Sequence, residues 1–107
     1  MNYQEYRKMI DTYANEYINE KENFCDAHQY AAEVADSCEE VIYYAKAWDL
    51  VNLIRVSDYQ VLSEAEDLAC ECGHSCDDIN SKMTALAYWI IYNEISERIN
   101  ELESEAA

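Results

Sequence analysis

The stretch HQYAAEVADSCEEVIYYAKAWDLVNLI, residues 28–54, decides what kind of fold this chain adopts. Ala31, Ala35, Cys38 and Ala45 recur at helical spacing, and small residues on one line let a second helix approach closely. Val34, Val41, Ile42, Trp48 and Val51 widen that line into a face suited to a core. Glu33, Asp36 and Glu40 fall on another line, at offsets of three and four. The stretch therefore reads as one long helix that buries an apolar face and shows water a row of carboxylates. A break is expected near Asp49 to Asn52, where DLVNLIRV turns almost continuously apolar and loses its helical phase.

Working outward, a helix is expected over residues 3–20. Tyr3, Tyr6, Ile10, Tyr13 and Tyr17 form an aromatic seam there, flanked by Met9, Ala14 and Ile18. The seam reads as core packing, because stacking on nucleic-acid bases needs a basic groove beside the rings. Residues 21–26 form the first connection, with Asn23 or Asp26 able to cap the next helix. Ser57 and Gln60 fit a capping box for a third helix, which carries Glu64, Asp67 and Glu71 and ends at Gly73. Ser75 and Asp78 signal a last helix over 77–103. Ile79, Met83, Leu86, Ala87, Ile90, Ile91, Ile95, Ile99 and Leu102 give it a broad apolar face. Glu94, Glu97, Glu101 and Glu105 give it an acidic edge. The expectation is an all-α fold, a single acidic domain over 1–107 with about four helices in an irregular bundle.

Composition agrees with that class. The 107 residues include no proline and one glycine, residue types on which hairpins and sandwich loops depend. Half the residues are hydrophobic, so a core is affordable without staples, and apolar residues keep a helical period that disordered chains lack. Five cysteines, an odd number, with no charged-then-apolar leader, read as free thiols in a reduced cytoplasm. No run of about eighteen apolar residues is present to span a membrane.

The charge balance points to function. There are 23 acids against 7 bases, a formal net charge of −16. Solubility is served by a magnitude of about 2–8, so the excess asks for another purpose. Phosphates and anionic lipids would be repelled, which argues against direct binding to nucleic acid or membrane. The fitting partner is a basic surface. The rows Glu33/Asp36/Glu40, Glu64/Asp67/Glu71 and Glu94/Glu97/Glu101 place carboxylates about 5–6 Å apart on their helices, a pattern akin to a phosphate backbone.

Other chemistry is weaker. Cys70, Cys72, His74 and Cys76 gather four zinc-type donors, but C-x-C-x-H-x-C lacks the two separated pairs of standard zinc sites. No metal is expected, and idle thiols at a helix end are the adopted reading. Neither His28 nor His74 sits in a nucleophile motif, and P-loop, dinucleotide and H-E-x-x-H signatures are missing from the sequence. The chain does not read as an enzyme.

The run Ala31-Ala32-Glu33-Val34-Ala35-Asp36, the Tyr43-Tyr44 pair and the ending NEISERINELESE resemble the small acidic anti-defence proteins of phages and mobile elements. Ocr-like anti-restriction DNA mimics are the nearest image, with acidic anti-CRISPR proteins beside them. The resemblance implies a helical fold, often dimeric, that fills the DNA-binding groove of a restriction-modification or CRISPR-Cas complex in the host bacterial cytoplasm. It also implies no cofactor and no catalysis. Two rival expectations stand: an adaptor that binds through an aromatic helical face around Trp89 and Tyr92, and a small zinc module on the cysteine cluster.

Overall fold

Helix α6, Ile79–Ala106, is the axis on which the other helices pack. Its Met83, Leu86, Ala87, Ile90, Ile91, Ile95 and Ile99 are all buried, and they cover most of the helix circumference. A helix with so wide an apolar face belongs at the centre of a bundle, with only its polar edge left to water. The structure is a computed structural model that describes residues 1–24, 26–72 and 78–106. Among them are α1 (Tyr3–Glu20), a 3-10 turn (Lys21–Asn23), α2 (Ala27–Ser37), α3 (Glu39–Ile42), α4 (Tyr44–Ser57), α5 (Tyr59–Glu71) and α6. No strand occurs among the described residues, so the all-α class holds. The count of about four helices does not: the described residues form six.

The difference lies in residues 28–54, which form parts of three helices instead of one. Backbone at Cys38 (φ −77°, ψ 147°) and Tyr43 (φ −104°, ψ 121°) is extended, although neither glycine nor proline is near. Phase explains the breaks. Ala31, Ala35, Cys38 and Val41 bury on one face, and Ala47, Leu50, Val51 and Ile54 on another. At about 100° per residue, the six steps from Val41 to Ala47 leave the two faces roughly 240° apart on an unbroken helix. Two kinks let both halves face α6. Ser37 assists at the first, its hydroxyl donating to the carbonyls of Glu33 (2.9 Å) and Val34 (3.4 Å) in competition with the helix ladder. Ala45 ends up exposed and Ile42 half-exposed, so neither belongs to the buried stripe. The expected break at 49–52 is absent, and those residues lie within α4.

The other elements follow their local chemistry. Asn2 Oδ1 accepts from the Glu5 N–H (2.8 Å) and opens α1; Asp26 Oδ1 accepts from the Gln29 N–H (2.8 Å) and opens α2. Asp78 Oδ2 accepts from the backbone and hydroxyl of Ser81 (3.1 and 3.2 Å), and α6 begins at Ile79, close to the expected start at about 77. The Ser57–Gln60 capping box does not form. The Asp58 N–H still donates to the Ile54 carbonyl (2.8 Å), which keeps Ser57 inside α4 and unable to cap α5. Gly73 and Ser75, read as cap residues, lie outside the described residues.

The tyrosine seam of α1 is core. Tyr6, Ile10, Ala14 and Tyr17 are buried, and Tyr17 packs at a tilt against Tyr30 (5.4 Å between ring centres), whose hydroxyl donates to the Tyr13 carbonyl (2.7 Å). Cys38 is buried and free. Burial, the largest cause, and Glu40 push its thiol up to about 11, which keeps it protonated and inert near neutral pH.

Candidate functional site: a carboxylate strip and an aromatic groove

Helix α5 carries no Lys or Arg, and its Glu64, Asp67 and Glu71 step by three and four along one side. It packs antiparallel to α6, with Glu64 beside Asn93 at one end and Cys72 near Tyr88 at the other. The Asn93 amide donates to Glu64 Oε2 (3.2 Å) and to Glu97 Oε1 (3.5 Å), tying one carboxylate from each helix to a single neutral donor. Glu64, Asp67, Leu68, Asn93 and Glu97 line a shallow groove of about 330 Å³. Glu71, Asp67, Glu64, Glu97 and Glu101 therefore form one strip that crosses from α5 to α6. Burial first, and then Glu64, Glu94 and Glu101, raise the Glu97 carboxyl above its ordinary range. Burial is the larger cause, and the neighbouring carboxylates add to it. Arg98 reaches the end of the strip only, pairing with Glu101 (2.8 Å) and with Asp11 (2.7 Å).

Glu94 does not belong to this strip. It is 6% exposed and accepts from the Tyr6 hydroxyl and the Arg7 guanidinium, both at 3.1 Å. Its position on α6 turns it toward α1, where the helix face is enclosed by the tyrosine seam. Burial raises its carboxyl above the usual range, against the lowering pull of Arg7 and Tyr6. Each fully buried isoleucine of α6 contributes roughly 1.5–3 kcal/mol, and four of them outweigh the several kcal/mol that a buried ion costs. Glu94 is a tie within the core, and the acidic edge expected at 94–105 begins at Glu97.

The first expected row is split by the kink at Cys38. Glu33 and Asp36 are exposed on α2, and Asp36 borders a groove formed with α6. Glu40, on α3, lies beside a different cavity of about 360 Å³, lined also by Met1, Glu5, Met9, Lys46, Asp49, Leu50 and Leu53. Lys46 pairs there with Glu39. Of the three rows, the one on α5 keeps its register, and Glu97 and Glu101 extend it.

The groove beside Asp36 measures about 730 Å³ and is lined also by Val41, Ile42, Tyr44, Tyr88 and Trp89, with Ser81, Thr84 and Ala85. Ile42, Tyr43 and Tyr44 are each about half exposed. Along α6 the rings continue: Tyr88 and Tyr92 lie nearly parallel (6.1 Å, 10°), and His28 stacks on Tyr92 (6.2 Å, 28°) with Nδ1 3.2 Å from its hydroxyl. Trp89 meets both tyrosines edge-on, at 5.0 and 5.4 Å. Burial first and Asp36 second push the Tyr88 hydroxyl up.

Sequence reading missed Asn93, because an asparagine four residues before a glutamate is an ordinary helix pair. It also missed that Tyr44 and Tyr88 line one groove, which depends on the bend at Tyr43. Of the possible zinc donors, Cys70 and Cys72 are exposed and free, while His74 and Cys76 lie outside the described residues. No group of three or more His, Cys, Asp or Glu among the described residues is arranged to hold a metal. No described helix is long and apolar enough to cross a membrane. No protein-family model, curated protein or solved structure matches this chain.

Proposed function

We propose that this protein inhibits a nucleic-acid-binding complex by laying its carboxylate strip into the complex's basic groove, as a mimic of the DNA phosphate backbone. The observation that carries the reading is the strip Glu71–Asp67–Glu64–Glu97–Glu101, with Asn93 at its centre and a cation only at one end. Successive acids on a helix stand about 5–6 Å apart, and phosphates follow one another every ~3.4 Å of axis on a spiralling strand. Holding like charges together in this way costs stability, and a Lys/Arg-lined groove returns that cost on binding. Glu33 and Asp36 supply a second, shorter acidic patch across α6. The target class that the resemblance suggests is a host restriction-modification or CRISPR-Cas complex, with no cofactor and no catalytic step.

The test is capture from bacterial lysate at low salt and again at ~0.5 M salt, where screening acts within a few Å. A captured DNA- or RNA-handling complex that is lost at high salt and displaced by added duplex is the expected result. A partner that persists at high salt and ignores duplex overturns it. That second outcome belongs to the adaptor reading, which the half-exposed Ile42, Tyr43 and Tyr44 favour and which would fail on Trp89→Ala.

A further inference from the structure

We infer that the groove between α3–α4 and α6 is a seat for arginine side chains of a basic partner segment. The inference takes from the preceding reading only that the partner is basic. Among the described residues no Lys or Arg lines the groove, its walls are Tyr44, Tyr88 and Trp89 with Ile42 and Val41, and the one charged lining residue is Asp36. A guanidinium is planar, weakly hydrated and permanently charged, so it lies flat on an aromatic ring while its N–H groups reach a carboxylate. Rings with an acid in the same lining supply both halves of that recognition. An ammonium group uses only the charge, since its strong hydration resists transfer onto an apolar wall. A second copy of this chain is a poor occupant, because it would bring another net charge of −16 to an already acidic face. An apolar peptide would leave Asp36 beside it unpaired.

The chain contains two tryptophans, Trp48 and Trp89, and therefore two indole N–H signals. Trp48 serves as the comparison: it does not line the groove, and its Nε1 is already held by Asn80 Oδ1 (2.9 Å). The protein is titrated by NMR with acetylated tetra-arginine amide and, separately, tetra-lysine amide at equal ionic strength. Tetra-arginine is expected to bind about fivefold tighter, the size of one exposed cation–π contact, and to move the Trp89 signal but not that of Trp48. Tyr44→Ala removes an exposed wall without touching the core, and should erase the preference while leaving tetra-lysine binding unchanged. Equal binding of the two peptides with Trp89 unmoved overturns the inference. So does a Trp89 signal that shifts with protein concentration alone, since a second copy would then fill the groove. Neither peptide experiment involves a lysate target. An arginine preference in a protein that captures no nucleic-acid-handling complex keeps the groove and removes the mimic, and the converse result does the reverse.

Discussion

Helix α6 has two acidic edges that fare differently. On the edge facing α1, Glu94 is buried and meets Arg7 and the Tyr6 hydroxyl, and Arg98 reaches across to Asp11. On the edge facing α5, Glu97 meets Glu64 across an asparagine, with no cation between them. The three-residue step from Glu94 to Glu97 turns the helix far enough to change a carboxylate's neighbours from partners to rivals. Three of the seven bases make the described ion pairs, and none of the three lies on α5 or α2. Charge on one side of α6 is compensated and serves the fold. On the other side it accumulates and is left for something outside the molecule.

The sharpest break of that contrast is Arg7→Met. It strands Glu94 in the core with the Tyr6 hydroxyl alone, and should destabilise the protein by roughly 3 kcal/mol, the low end for a broken buried pair because Arg7 is partly exposed. Denaturant unfolding measures it, and adding Glu94→Leu should restore much of the loss. A variant as stable as the parent would mean that Glu94 is already protonated, with no charge to strand.

Next in size is the α5 side. Combined Glu64→Gln, Asp67→Asn, Glu71→Gln and Glu97→Gln should weaken target capture by about tenfold or more, near 1.4 kcal/mol or beyond. Thermal stability should hold or rise, since only repulsion is removed. Loss of helix by circular dichroism would show instead that the strip supports the fold.

Stability should also depend on pH through Glu94. Its carboxyl holds a proton more tightly folded than unfolded, so this contribution is fully present below the unfolded value near 4.3 and is lost as pH rises through the raised folded value. Glu97 acts in the same sense. Melting temperature followed upward from pH 5 should fall, and Glu94→Gln should flatten the slope. A rising curve would assign the dominant role to the Arg7 pair. The smallest effect is Glu97→Lys, which places a cation beside Glu64 and should stabilise by about 0.2–1 kcal/mol, as exposed pairs do. No gain would mean that Asn93 already holds the two carboxylates apart at little cost.

Much of the secondary structure was legible because it rests on local chemistry. The limits of α1, the Asp26 cap and the apolar period of α6 follow from neighbours a turn away, and those interactions form wherever the helix sits. The α5 row was legible for the same reason, since Glu64, Asp67 and Glu71 share one unbroken helix. The kinks at Cys38 and Tyr43 were hinted at by the phase slip between Val41 and Ala47. No breaker residue marks them, because the gain comes from burying both halves against α6, a partner about forty residues away.

The sequence by itself determined an all-α chain with far more negative charge than solubility needs, because composition and helical period are properties of the chain alone. Only the tertiary structure decided which carboxylates face inward and which face one another. Glu94 and Glu97 look alike in the sequence; which edge of a helix is enclosed by tyrosines and which by another acidic helix is set by packing across the chain.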